Sequence, residues 1–334
     1  YEIYQCDWSS DVCSSDLVAL EGLGLGQRAR LRFICEKDAA ARRLICAHRS
    51  PEHIFNDIMQ RSVDDMPVCD IYAAGFPCQP WSTAGLRQGT ADKHGRGNIF
   101  PRILDYLHRK RPKCFLLENV KGLTTSTHQE CFASMLDDLK LGNSFIVTWR
   151  VLNTANFGIP QNRPRLYIIG FLRDAVPGGI EGNLDFKWPR GGRHDPLRSL
   201  LEGHEICRPQ VKPGTVADRN LQVMLHRLKR QGVDPASEPY ALDIFASKPR
   251  SMLGKVPCLT RTRAGSGGYY ITCAKGLLTT VEMLRLQGLP ESFIAIAQKA
   301  DVSDRQLRQM IGNAMSVPVL RDLLSRMLHA LGFR

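Results

Sequence analysis

Nowhere in the 334 residues do two cysteines form a C-x-x-C pair, and the 9 histidines fall into no cluster at zinc-ligand spacing, although the chain carries 11 cysteines. No structural metal is expected. The cysteines stand at 6, 13, 35, 46, 69, 78, 114, 131, 207, 258 and 273, an odd and scattered set with no secretory signal. That pattern fits a reducing intracellular compartment better than a disulfide framework. Long apolar runs are missing too: stretches such as Tyr167-Ile168-Ile169-Gly170-Phe171-Leu172 fall far short of the ~20 residues that span a bilayer. No membrane anchor is expected. A glycine fingerprint of the nicotinamide-binding kind is absent as well, which leaves an oxidoreductase without support.

What the chain does have is enough apolar material, 43% of its residues, for one large domain or a large and a small one. Its net charge is +12, and the segment 187–275 holds 16 Lys and Arg against 7 Asp and Glu. One quarter of the chain thus carries most of the positive charge, which favours a polyanionic partner.

From Leu31 to Leu172, strand-type apolar runs alternate with helical stretches. Leu31 to Cys35 reads as a strand and Asp38 to His48 as a helix with Ala39, Ala40, Leu44 and Ile45 on one side. The run ending at Ala74, the stretch 99–107, the run 115–117, the stretch 130–139 and two further strands at 146–151 and 166–172 continue the alternation. A doubly wound α/β sheet follows. After Trp188-Pro189-Arg190-Gly191-Gly192 the pattern breaks into short pieces punctuated by Pro and Gly, with one helix around 220–229. A smaller inserted domain is expected over 187–274, between a large domain at 18–186 and its return at 275–334.

The chemistry gathers around Gly75-Phe76-Pro77-Cys78-Gln79-Pro80-Trp81-Ser82, where a cysteine is held between prolines just past a strand. Open α/β sheets bind their ligands at that edge. Taken alone, Cys78 reads equally as a buried thiol. It is followed in order by Glu118-Asn119-Val120, by Gln161-Asn162-Arg163-Pro164-Arg165 and by Gly312-Asn313-Ala314-Met315-Ser316-Val317-Pro318. With Gly95-Arg96-Gly97-Asn98-Ile99-Phe100 and the stretch 282–290, this set resembles the cytosine-C5 DNA methyltransferase family over most of the chain from about Leu31 onward.

The resemblance implies a Rossmann-like S-adenosylmethionine-dependent sheet with an inserted target-recognition domain, acting as a monomer on double-stranded DNA. Cys78 would attack carbon 6 of a flipped cytosine, making carbon 5 nucleophilic toward the methyl donor. Glu118 would protonate or hydrogen-bond ring nitrogen 3. Arg165 would reach the base carbonyl and Arg163 would orient the glutamate and the backbone. Glu36, directly after a strand, would take ribose hydroxyls. Asp57 and Ile58 would hold the adenine, and Gly75, Pro77, Ile99, Asn313 and Ala314 would line the rest of the cofactor pocket. Ser82, Arg87 and Arg96 lie in a Gly-rich stretch that would close over the base and touch phosphate. Arg261 and Arg263, beside close-set glycines, would contact phosphate or guanine. Gln161 is structural or phosphate-directed.

Two related readings stay open: a transfer RNA cytosine-5 methyltransferase of the same fold, and a non-catalytic DNA-binding relative. The compartment is the cytoplasm for a bacterial or phage source and the nucleus for a eukaryotic one, with restriction-modification among the roles open to it. Residues 1–17 resemble a translated sequencing adapter, so they are set aside from the fold. The family's Gly-rich cofactor loop would fall within them. Gly22-Leu23-Gly24-Leu25-Gly26 follows a helical remnant and reads as a helix C-cap and turn rather than as that loop.

Overall fold

The computed structural model describes residues 15–76, 99–179, 183–203 and 205–333, and residues 2–8 by the course of the backbone. In chain order the first elements are β1 (Glu2–Trp8), α1 (Ser15–Glu21), β2 (Arg30–Leu31), β3 (Phe33–Glu36), α2 (Ala39–His48), β4 (His53–Phe55), β5 (Ile71–Gly75), α3 (Ile99–Lys110), β6 (Cys114–Val120), α4 (Gln129–Lys140), β7 (Phe145–Asn153), β8 (Gln161–Asn162) and β9 (Pro164–Leu172). There follow α5 (Val216–Arg230), β10 (Tyr240–Leu242), β11 (Ser251–Leu253), β12 (Val256–Pro257), α6 (Arg261–Gly265), β13 (Tyr270–Ile271), β14 (Gly276–Leu277), α7 (Thr280–Arg285), α8 (Phe293–Lys299), α9 (Asp304–Asn313) and α10 (Val317–Ala330). Two compact units result, one of Tyr1–Leu152, Pro164–Arg190 and Val319–Arg334, the other of Asn153–Arg163 and Gly191–Pro318.

The first unit is built on a sheet of order β4-β3-β1-β5-β6-β9-β7, with β2 beside β1. Strands β4 to β6 run parallel and β9 turns antiparallel against β6. This is the Rossmann-like methyltransferase sheet, mixed rather than wholly parallel. Its central strands are apolar throughout because both faces are covered. Tyr72 and Ala74 of β5 and Phe115 and Leu117 of β6 join one core with Phe33, Ile103, Tyr106 and Met135, while the alternate residues Ala73 and Leu116 are buried on the other face. Tyr72 and Tyr106 stack with centroids 4.7 Å apart, and the Tyr106 hydroxyl donates to the Pro67 carbonyl at 2.9 Å. Gly170 of β9 lies opposite Phe115, whose ring occupies the space a Cβ would take.

Helix α2 starts where Asp38 accepts from the N–H groups of Ala40 and Ala41. Helix α1 ends on Gly24 at φ +74°, with Leu25 N–H bonded to the Leu20 carbonyl and Gly24 N–H to that of Glu21. That is a Schellman cap, so the Gly22 to Gly26 run terminates a helix. One feature departs from the sequence reading: Glu2–Trp8, set aside there, run as β1 between β3 and β5. Two parallel strands with unpaired edges will accept any extended backbone, because the ladder bonds are made by the main chain.

The second unit has an antiparallel sheet of order β11-β10-β13-β14 and a parallel pair of β12 with β8. Helix α5 covers a small core of its own, with Leu221, Met224 and Leu228 against Leu242, Ile244 and Leu277. Arg208 and Glu282 form a buried ion pair, and Glu282 also closes a capping box with Thr279 at the start of α7. Helices α7 to α9 belong to this unit, which runs on to Pro318, and so does 153–163. The sequence boundaries assigned both stretches to the large domain. Close approach of α9 to α6 explains the grouping: a Cβ on Gly312 would sit 2.4 Å from the Thr260 carbonyl oxygen.

Candidate active site

In the first unit, Gly75 at the end of β5 is in register with Glu118 of β6. The Asn119 side chain donates to the Phe76 carbonyl at 3.4 Å and accepts from Val120 N–H at 2.7 Å, tying the chain that leaves β5 to the neighbouring strand. Cys78 follows two residues later and, with Pro77, Ser82, Arg87 and Arg96, lies outside the described residues.

Glu118 is 5% exposed. Its Oε1 stands 3.0 Å from Nε of Arg165, whose Nη1 donates to the Pro164 carbonyl. Strand pairing explains the meeting: β9 sets Tyr167 opposite Glu118 and Arg165 opposite Val120, so the two side chains are diagonal neighbours on one face. A carboxylate buried this deeply needs such a partner. The pair can present an acid and a fixed cation to a substrate at the strand edge.

The acidic residues at the other parallel strands fit a nucleoside-bearing methyl donor. Glu36 ends β3, and both Glu36 and Gly75 pair with Trp8 of β1, one on each side. Glu36 Oε1 accepts from Asp38 N–H at 2.6 Å, leaving acceptor capacity for ribose hydroxyls. Asp57 Oδ1 accepts from Met59 N–H at 2.9 Å, and its Oδ2 lies 3.3 Å from the exposed Lys37 ammonium. Ile58 and Ile99 are buried in the core of the unit. A cavity of about 470 Å³ beside Arg30, His48, Arg49 and Ser50 opens at the opposite ends of the strands and touches none of these residues.

In the second unit Arg163 is 2% exposed. Its Nη1 donates to the carbonyls of Leu259 at 2.6 Å and Gly312 at 3.2 Å, and its Nη2 to those of Asn313 at 3.3 Å and Ala314 at 2.8 Å. These bonds fix the turn that closes α9. Gln161 is fully buried, donating to the Leu286 carbonyl at 2.6 Å and accepting from Leu259 N–H at 2.9 Å. Of the two readings given to it, these bonds serve the structural one. Arg261 opens α6 and is half-buried. Arg263 is held 3.0 Å from Asp243 and lies over the Phe245 ring. Sequence reasoning missed Asp243, which stands twenty residues away with no pattern to mark it. Among the described residues no His, Cys, Asp and Glu cluster could hold a metal, and no helix is long and apolar enough to cross a membrane.

Comparison with known proteins places this geometry. The family model described as C-5 cytosine-specific DNA methylase matches residues 19–329. The type II methyltransferase M.HaeII of Haemophilus aegyptius is 36% identical over 84% of this chain and 80% of its own length. For M.NgoBI of Neisseria gonorrhoeae the identity is 37%, over 86% of this chain and 83% of the relative. In fold, the chain is similar to a putative DNA modification methyltransferase encoded within an E. coli prophage, with a TM-score of 0.67 at 17% identity over 99% of both chains. It is also similar to S. pombe Dnmt2 methyltransferase, with a TM-score of 0.64 at 18% identity over 99% of this chain and 100% of that one. Given a family match across nearly the whole length, and a buried Glu-Arg pair at the strand edge beside the Pro-Cys-Gln-Pro turn, the chain belongs to the C-5 cytosine-specific DNA methylase family and is a DNA cytosine-5 methyltransferase.

Proposed function

We propose that the chain methylates a cytosine swung out of double-stranded DNA through a covalent Cys78 adduct, using S-adenosylmethionine, as the modification enzyme of a bacterial type II restriction system. It acts as a monomer in the cytoplasm. The ion pair of Glu118 and Arg165 carries the reading, because it sets a buried acid in register with Gly75, three residues before Cys78.

A base inside a duplex cannot present carbon 6 to a thiol, so the cytosine leaves the stack. The Cys78 thiolate forms a bond to carbon 6, and Glu118 gives a hydrogen bond or proton to ring nitrogen 3 so that the ring carries no full negative charge. Arg165 keeps Glu118 in place and meets the base carbonyl. S-adenosylmethionine supplies an electrophilic methyl group on a sulfonium. Loss of the proton from carbon 5 and expulsion of the Cys78 thiolate then restore the ring.

Glu36, Asp57, Ile58, Gly75, Pro77 and Ile99 hold the methyl donor from the first unit, and Asn313 and Ala314 from the second, with Arg163 as their positioning residue. Ser82, Arg87, Arg96 and Arg261 meet DNA. Gln161 and Arg263 act indirectly, by shaping the unit that carries them.

Labelled methyl transfer to mixed-sequence duplex DNA tests this. It compares the chain with a form whose residues 1–17 are replaced by a relative's first strand and Gly-rich loop, since Ser9 to Ser14 contain no glycine. Label on cytosine carbon 5 that disappears in Cys78→Ser is expected, with tighter cofactor binding in the replaced form. Label on transfer RNA alone, or label that survives Cys78→Ser, would overturn the reading.

A further inference from the structure

We propose that the outer face of α5 is a DNA-backbone contact, holding phosphates of the duplex that carries the target cytosine. The inference rests on the function proposed above and adds a surface to it.

Helix α5 buries Ala217, Leu221, Met224 and Leu228. On its opposite side Arg219, Val223, Arg227 and Arg230 recur at helical spacing, and all four are exposed. At ~1.5 Å per residue the stripe is about 16 Å long, enough to cross a major groove of ~12 Å or to follow one backbone.

Most surface arginines in this protein are neutralised by a carboxylate, as in Arg32 with Glu52, Arg111 with Asp174, Arg193 with Asp195 and Arg285 with Glu291. Among the described residues, no carboxylate pairs with Arg227, Lys229 or Arg230, and Arg219 donates only to the Gly214 carbonyl. Like charges crowded on one helix face repel one another, and a polyanion relieves that repulsion.

A second observation points the same way. Beside the stripe lies a cleft of about 400 Å³ whose polar lining is Arg227, Gln231, Arg250 and Ser251. Two guanidiniums, an amide and a hydroxyl, with no carboxylate among them, make a donor-rich set. That chemistry takes a phosphate oxygen. The length of the stripe then selects a polymer of phosphates over a single small anion.

The test measures DNA binding by the full chain against salt concentration, using a short duplex and fluorescence anisotropy. Each lost phosphate contact should make the slope of log K against log salt shallower by about 0.9, so R227Q/R230Q should lose about 1.8. Lys140→Gln, exposed on α4, should leave the slope unchanged. An unchanged slope in R227Q/R230Q, or an equal loss in Lys140→Gln, overturns the proposal. A loss seen only with a transfer RNA probe does so too. Methyl transfer at low salt and saturating DNA reports on the underlying function separately: if the parent chain labels no cytosine in the form with the replaced first loop, that function fails, whereas R227Q/R230Q should retain activity there.

Discussion

Arg165 reaches Glu118 diagonally across the antiparallel pair of β9 and β6, with 3.0 Å between Nε and Oε1. Removing the cation strands a buried carboxylate. Arg165→Ala should therefore cost about 3–5 kcal/mol in urea unfolding and lower kcat by roughly 10² or more. Glu118→Gln should lower kcat as far while costing less stability, since a neutral amide can remain beside the guanidinium. Equal stability losses in the two variants would show that the pair is not the organising contact.

Arg163 serves four main-chain carbonyls, which only a planar guanidinium can do at once. Arg163→Lys should raise KM for S-adenosylmethionine more than KM for DNA, because the turn at Asn313 and Ala314 loses its tether. Each carbonyl left unsatisfied should also cost about 1–3 kcal/mol. The ratio of the two KM changes separates positioning from a general loss of stability.

At Gly170 an added Cβ would lie 2.0 Å from Cε1 of Phe115. Gly170→Ala should destabilise by about 1–3 kcal/mol through overpacking. Phe115→Leu in the same chain should recover part of that loss, a coupling that a double-mutant cycle in urea would measure.

His48 should make stability depend on acidity. Desolvation holds its pKa below the usual 6.5, and the nearby Glu21 offsets this only in part. The unfolded chain then binds the proton more readily than the native one. Stability should fall as the pH drops below 6.5 toward the lower native value. His48→Asn should flatten that part of the profile, read from urea midpoints at a series of pH values.

Strands buried on both faces were legible because they write themselves as continuous apolar runs, as in Ile71 to Ala74 and Leu166 to Leu172. Helix α2 was legible through its spacing and through Asp38 at its cap. Pairing between distant residues was not. Nothing local distinguishes Arg165, which meets a carboxylate sixteen kilobase-free steps of reasoning away in another strand, from Arg163, which meets carbonyls in a turn. Arg263 looked like a surface cation until Asp243 came to it through the fold. Pairs as short as β8 with β12 carry no periodicity at all, and the ladder that admits Glu2–Trp8 depends on backbone alone.

Segment 153–163 leaves the sheet between β7 and β9 and belongs to the second unit, where Gln161 pairs with Val256 and its amide bonds Leu259 and Leu286. A recombination that exchanged only 191–318 for a relative's sequence would therefore inherit a foreign strand partner and a mismatched amide. The heritable cassette for target choice is discontinuous in the gene, and a functional graft has to move both pieces together.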